Sequence, residues 1–344
     1  MERLLRVGTC LAMCGYGAQV GALAATARAF RADAQLWGAH ARHRGSGGRT
    51  ALMHAADTCN VPRIQFLLER GADVEAFETG VAGCTALMVA CFAGHTVAAR
   101  CLMEQGGANV NAATANGWTA LMYVSQNGYL DTARALVERG GVNVNAPTND
   151  DGTTALMMAC MCCHPEIVRL LVERSSVNVN AAQTNNGRTA LMWACKTGHL
   201  ETVRFLVERG GASVNATQTD DGMTALMWAS LNGHLETVRF IVEHGGANVN
   251  AVQTDDGYSA LMWACLNGRL EVARLLLQRG AFVNAVLPLS GKTPLMIASQ
   301  KGHAAIVRLL LEHGALKHLV DHGGRMASDS DYAAGHPLVL AELA

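Results

Sequence analysis

Apolar and polar positions recur along this chain with a period of 34 or 35 residues. The string Thr-Ala-Leu-Met, or a close variant of it, begins at Thr50, Thr85, Thr119, Thr154, Thr189, Thr224, Ser259 and Thr293. The apolar residues that follow are spaced as i, i+3 and i+4, which is typical of one face of a helix. A fixed period of this length indicates a repeat protein whose small units stack on one another.

The copy that starts at Thr189 shows which elements each unit predicts. The Thr189 hydroxyl can cap a first helix by accepting a hydrogen bond from a free backbone amide, and Gly198 would end that helix in a left-handed conformation. A second helix is predicted from about residue 199 to residue 209. Its predicted apolar stripe consists of Leu200, Val203, Leu206 and Val207. The chain then runs to an Asp-Asp-Gly sequence ending at Gly222, a tight-turn signal that predicts a hairpin-like finger.

One such unit cannot bury its apolar faces alone, whereas stacked units can. We therefore expect an all-α solenoid over residues 46–322, in which each repeat contributes helix, loop, helix and a β-hairpin-like finger. Residues 323–344 contain a degenerate copy with a Gly335-His336 pair, and this copy is predicted to cap the C-terminal end. Residues 1–45 are predicted to be an irregular N-terminal segment or a degenerate capping repeat.

These units resemble ankyrin repeats. The resemblance rests on the helix start Thr-Ala-Leu-Met-Trp-Ala-Cys at residues 189–195, the Gly198-His199 link, and the exit Gly-Ala-Asn-Val-Asn-Ala at residues 246–251. It covers roughly residues 45–344. Two departures are a period longer than the usual ~33 residues and a methionine, as at Met192, where the family has histidine. The resemblance implies a non-enzymatic module that binds a protein on its concave inner helices and its fingers.

Large side chains recur at one position of the first helix. They are Tyr123, Met158, Trp193, Trp228 and Trp263 in five successive copies. In ankyrin proteins this position lies on or near the inner helices, so the aromatic members are candidates for a partner-binding stripe, since Trp and Tyr dominate interface hot spots. The alternative is that these side chains only pack between repeats.

The residue that follows the turn glycine varies from copy to copy. The candidate partner contacts at this slot are Trp118, Arg188, Met223 and Tyr258. A slot whose residue varies while the rest of the repeat stays constant is typical of a recognition surface. Neutral sequence change at an exposed position gives the same pattern. Four finger carboxylates would form an acidic rim that favours a basic partner, or would serve only the turns. These are Asp220, Asp221, Asp255 and Asp256.

Composition narrows the function further. The formal net charge of −1 argues against a nucleic-acid binder that works by neutralising phosphates. Four of the eleven cysteines, Cys91, Cys160, Cys195 and Cys265, share one repeat position that suits a small buried residue. Reduced thiols at this position favour a cytoplasmic or nuclear location. The chain is also expected to be a monomer.

No catalytic or cofactor motif is recognisable in the sequence. It contains no phosphate loop, no His-Glu-x-x-His helix and no Gly-x-Ser-x-Gly elbow, so no enzyme activity and no cofactor are expected. Cys160, Cys162, Cys163 and His164 form a possible zinc cluster, but no second ligand pair stands at zinc spacing, so no metal is expected.

Three alternatives remain open at this level. The chain could recruit substrates to a regulatory enzyme such as a ubiquitin ligase or a kinase. It could be tethered to a membrane through residues 7–27, which carry no charge, although several glycines dilute this stretch and no membrane partner is expected. The same stretch could be a targeting peptide.

Overall fold

The computed structural model describes residues 48–79, 83–174, 176–333 and 336–344. The predicted N-terminal segment 1–45 and Gly335 lie outside the described residues. Helices in the described part of the chain occur in pairs. The first helices are α1 Ala51–Asp57, α3 Ala86–Phe92, α5 Ala120–Asn127, α7 Ala155–Met161, α9 Ala190–Thr197, α11 Ala225–Asn232, α13 Ala260–Leu266, α15 Pro294–Gln300 and α17 Ser330–Ala333. The second helices are α2 Val61–Glu69, α4 Thr96–Glu104, α6 Leu130–Arg139, α8 Pro165–Arg174, α10 Leu200–Glu208, α12 Leu235–Glu243, α14 Leu270–Gln278, α16 Ala304–Glu312 and α18 Pro337–Leu343.

The predicted helix caps are confirmed. Each first helix from α1 to α15 follows a Thr or Ser whose hydroxyl accepts a hydrogen bond from the backbone N–H three residues later. For α9 the bond joins Met192 N to Thr189 Oγ1 at 3.4 Å. Gly198 ends this helix with a φ of 75°, which is the left-handed region that glycine adopts without steric cost.

The second helices differ slightly from the prediction. Helix α10 begins at Leu200, because His199 occupies the N-cap, and its buried face consists of Thr202, Val203, Phe205 and Leu206. The predicted stripe members Leu200 and Val207 are only half-buried. Residues i, i+1, i+3 and i+4 lie on one side of a helix, and here that side is centred between Thr202 and Leu206.

The fingers of four repeats are minimal hairpins, as predicted. Isolated antiparallel bridges pair Ala113 with Thr119, Ala182 with Thr189, Thr217 with Thr224, and Val252 with Ser259. Neighbouring fingers are joined by backbone hydrogen bonds, as from Thr219 N to Asn186 O at 2.9 Å and from Thr254 N to Asp221 O at 3.0 Å. These bonds fix the register between one finger and the next.

The chain forms two compact units. Of the described residues, the first unit contains those up to Asp150 together with Glu173, Arg174 and Ser176, and the second contains those from Asp151 to Val172 and from Val177 onward. In the second unit the first helices α7, α9, α11, α13 and α15 pack side by side, and the second helices α10, α12, α14 and α16 form a parallel row. Met192, Cys195 and Leu206 are at most 1% exposed between the two rows. This layering is that of the predicted all-α solenoid class.

The last helix closes the second unit. Helix α18 packs on α16, with Val339 and Leu343 buried and Leu338 and Leu340 exposed. Asp321 fixes the segment that leads into α18, because its carboxylate accepts hydrogen bonds from the Tyr332 hydroxyl at 2.6 Å and from Arg325 Nε at 2.9 Å. None of the helices in the described ranges has the length and hydropathy needed to cross a bilayer.

Candidate functional site

The aromatic position of the repeat is the fourth residue of each first helix. In α9 the two preceding residues, Leu191 and Met192, are each 1% exposed, whereas Trp193 is half-buried. Tyr123, Trp228 and Trp263 are half-buried in the same way, and Met158 is buried. We call these three tryptophans and Tyr123 the aromatic ladder. Part of each ladder ring is therefore accessible to another molecule.

A finger side chain lies against a ladder ring in three of the copies. The ring centroids of Trp118 and Tyr123 are 5.1 Å apart, and those of Tyr258 and Trp263 are 5.0 Å apart. The Arg188 guanidinium lies 5.3 Å from the ring centroid of Trp193. The finger slot and the ladder position thus form pairs within a repeat, although the sequence had suggested them as separate candidates.

Met223 occupies the same slot but does not reach the surface. It is 3% exposed, so it cannot serve as the surface contact that the sequence suggested. An unbranched apolar side chain at this slot gains free energy by burial, whereas the Arg188 guanidinium would have to be desolvated.

Two cations lie between the rings of Trp193 and Trp228. Lys196 Nζ is 4.8 Å from the first ring centroid and 4.9 Å from the second. Arg188 also lies over the Trp228 ring, at 4.8 Å. Burial, together with the like charge of Arg188, lowers the pKa of Lys196. We call Arg188, Trp193, Lys196 and Trp228 the cation–tryptophan cluster.

A buried glutamine holds this cluster in place. Gln218 is 3% exposed, and its Oε1 accepts hydrogen bonds from Trp228 Nε1 at 2.6 Å and from Arg188 Nε at 3.3 Å. Its Nε2 donates to Asp220 Oδ1 at 3.0 Å. Trp263 repeats the arrangement by donating to Gln253 Oε1 at 3.1 Å. These glutamines precede their tryptophans by ten residues, a spacing that the sequence contains and that sequence reasoning missed.

Trp193 lacks the corresponding bond. The equivalent glutamine, Gln183, donates its Nε2 to Asp151 Oδ2 at 2.8 Å and to Thr153 Oγ1 at 2.5 Å. Its buried Oε1 has no hydrogen-bond partner among the described residues. Trp193 Nε1 likewise donates to no described residue, unlike the indoles of Trp228 and Trp263.

Three of the four finger carboxylates, Asp220, Asp221 and Asp255, accept hydrogen bonds within their own turns. Asp221 Oδ1 accepts from Met223 N at 2.9 Å, and Asp255 Oδ1 accepts from Asp256 N at 2.7 Å. Asp220 accepts from its neighbour's backbone as well as from Gln218; burial opposes ionisation, but these hydrogen bonds outweigh it and lower the pKa of Asp220. The geometry thus gives these side chains a turn role in addition to the proposed acidic rim.

The cysteines suggested as a metal cluster are separated by burial. Cys160 is fully buried, which raises its pKa, whereas Cys163 is exposed with a φ of 60°. No three His, Cys, Asp or Glu side chains in the described ranges come together as a metal site requires.

Models of protein families match most of the chain. A model described as ankyrin repeats (3 copies) matches residues 75–148, 141–218, 211–286 and 252–321. A model described as ankyrin repeat matches residues 47–76. A comparison with curated proteins gives no match. The matched residues include the whole aromatic ladder and the fingers that pair with it.

Proposed function

Because the chain belongs to the ankyrin-repeat family, whose repeats are protein-interaction modules, we propose that it is a non-enzymatic scaffold that binds a protein partner on the aromatic ladder. Each of the two units presents its own binding surface, which consists of its ladder residues and of the finger side chains paired with them. In the second unit these are Arg188, Trp193, Trp228, Tyr258 and Trp263. In the first unit Trp118 and Tyr123 form the equivalent pair.

The partial exposure of the ladder rings carries this proposal. The two residues that precede each ladder position in the helix are buried, whereas part of each ladder ring is left accessible to a partner. Half-buried aromatic side chains that are fixed by hydrogen bonds lose little conformational entropy on binding. Tryptophan and tyrosine in such positions are the residues that most often dominate binding free energy.

Two further features belong to the proposal. The cysteines of the described ranges are free, and the shared repeat position holds buried thiols, which supports a cytoplasmic or nuclear protein. The binding mode requires only one copy of the chain, so we propose that the scaffold is a monomer.

Quantitative affinity capture tests the proposal. The wild type is compared with the triple variant Trp193→Ala, Trp228→Ala, Trp263→Ala, and with Phe282→Ala as the matched control. Phe282 is an aromatic side chain that is 66% exposed and lies outside the ladder and its paired slots. Circular dichroism and thermal melting establish that each variant is folded, and the single variant Trp193→Ala replaces the triple variant if the latter unfolds.

We expect a protein captured by the wild type and by Phe282→Ala to be lost from the ladder variant. Equal capture by all folded variants would show that the ladder serves packing alone. In that case the surface proposed here would be wrong, even though the repeats themselves would still bind a protein.

A further inference from the structure

The cation–tryptophan cluster carries two positive charges, and neither forms a direct ion pair with a carboxylate of the described ranges. The side chains of Arg188 and Lys196 contact the two indole rings, and Arg188 also donates to Gln218. Two like charges held this close, in a partly desolvated place, repel each other. Cation–π contacts offset only part of that repulsion.

The carboxylate of Asp220 interacts with Arg188 only through its charge. It accepts hydrogen bonds from Gln218 Nε2 and from the backbone N–H of Asp221; burial opposes ionisation, but these bonds together with the Arg188 charge outweigh it and lower the pKa of Asp220. By holding Gln218, Asp220 orients the Oε1 that binds Trp228 and Arg188. Asp220 therefore helps to position the cluster through Gln218, and its charge offsets part of the Arg188 charge without a direct ion pair, whereas Lys196 has no such partner among the described residues.

The cluster also presents an unused hydrogen-bond donor. Trp193 Nε1 donates to no described residue, whereas Trp228 Nε1 is fixed on Gln218. The Lys196 ammonium and the Arg188 guanidinium lie over the Trp193 ring, and only the Nε of Arg188 bonds Gln218. All of these groups donate, and both cations favour a negatively charged acceptor.

From this combination we infer that the partner is recognised through an acidic peptide segment, one of whose carboxylates binds Arg188, Lys196 and the Trp193 indole. The inference rests on the proposed function and specifies the chemistry of the partner at that surface. A partner of this kind carries negative charge, whereas the finger carboxylates favoured a basic partner. The ring faces of Trp193 and Trp228 would pack on the apolar part of the same segment.

Selection of random linear peptides displayed on phage, with the full chain as bait, tests the inference. The most enriched peptide is then synthesised, together with an analogue in which Gln and Asn replace Glu and Asp. Binding of both is measured by isothermal titration calorimetry to the wild type, Arg188→Gln, Lys196→Gln and the charge-preserving Lys196→Arg. Arg209→Gln is the matched control, because Arg209 is an exposed cation of the same repeat outside the cluster.

We expect the selected peptides to be rich in Glu and Asp. Arg188→Gln and Lys196→Gln should each weaken binding of the acidic peptide about tenfold, because each removes a charge-assisted hydrogen bond. The neutral analogue should bind the wild type as weakly as the acidic peptide binds these two variants. Lys196→Arg and Arg209→Gln should each change the Kd by no more than about threefold, which is well below one such bond.

Three results overturn the inference. Selected peptides that are neutral or basic, yet lose binding in Trp193→Ala, would refute the acidic partner and leave the ladder as the binding surface. If Arg209→Gln weakened peptide binding as much as Lys196→Gln, the peptide would be held by nonspecific electrostatic attraction and not by the cluster. Failure to select any peptide, combined with equal capture of proteins by the ladder variants, would refute both this inference and the proposed function.

Discussion

Replacing one tryptophan at a time by phenylalanine distinguishes the two kinds of ladder residue. Trp263 donates to the Oε1 of Gln253, which is 7% exposed and accepts no other hydrogen bond in the described part of the chain. Trp193 donates to no residue there. Phenylalanine retains an aromatic ring but removes the N–H. Trp263→Phe therefore leaves a buried acceptor unpaired, whereas Trp193→Phe does not.

The unpaired acceptor sets the expected difference in the free energy of unfolding. An orphaned buried acceptor costs about 1–3 kcal/mol, and partial access of water at the half-buried ring brings the value toward the lower end. Loss of ring area is common to both variants and cancels in the comparison, whereas only Trp193→Phe also weakens the cation–π contacts with Arg188 and Lys196, by about 0.5 kcal/mol. We therefore expect Trp263→Phe to lower the free energy of unfolding by about 1 kcal/mol more than Trp193→Phe.

Urea denaturation followed by far-ultraviolet circular dichroism measures this difference without relying on tryptophan emission. Midpoints are compared only if the denaturant slopes agree, because repeat arrays can lose cooperativity. Equal destabilisation by the two variants would refute the role given to Gln253. A larger loss in Trp193→Phe would refute the statement that the Trp193 N–H is available for a ligand.

Three other predictions concern the frame and its chemistry. Gly198→Ala should destabilise the fold by about 1–3 kcal/mol more than Gly211→Ala in urea denaturation. Both glycines have a positive φ, but only a Cβ at Gly198 would clash with a neighbouring side chain, the ring of His234. Iodoacetamide at neutral pH should modify exposed Cys163 in the folded protein and Cys195, whose pKa is raised by burial, only after unfolding, as peptide mass spectrometry would show. Hydrogen bonds to Asp321 hold its pKa well below its ordinary value, so the stability it contributes is complete above the unfolded-state pKa of about 3.9 and is lost at lower pH. The difference in urea midpoint between wild type and Asp321→Asn should therefore shrink as the pH falls below about 4.

Much of the architecture could be predicted from the sequence because its signals are local. The cap at Thr189, the end of the helix at Gly198 and the turn at Gly222 each depend on residues a few positions apart, and all three are found in the structure. The apolar stripe of α10 was less well predicted. Its centre depends on how the helix rolls against its neighbours, which local spacing leaves undetermined.

The candidate site was only partly predictable. The ladder and finger positions were identified from the repeat, but Lys196 and Gln218 were missed because neither is conspicuous in the sequence. Met223 and Arg188 occupy the same slot, yet one is buried and the other lies over two rings. Equivalent positions in a repeat share a backbone environment without sharing the side chains around them.

The sequence alone therefore determined the repeating unit, its caps and its turns, because each is specified by residues that are neighbours along the chain. Only the tertiary structure decided the character of the surface. Stacking brings Arg188 and Lys196 of one repeat against Trp228 and Gln218 of the next. Contacts of this kind depend on the register between repeats, and that register places two cations of one repeat against the aromatic ring of the next.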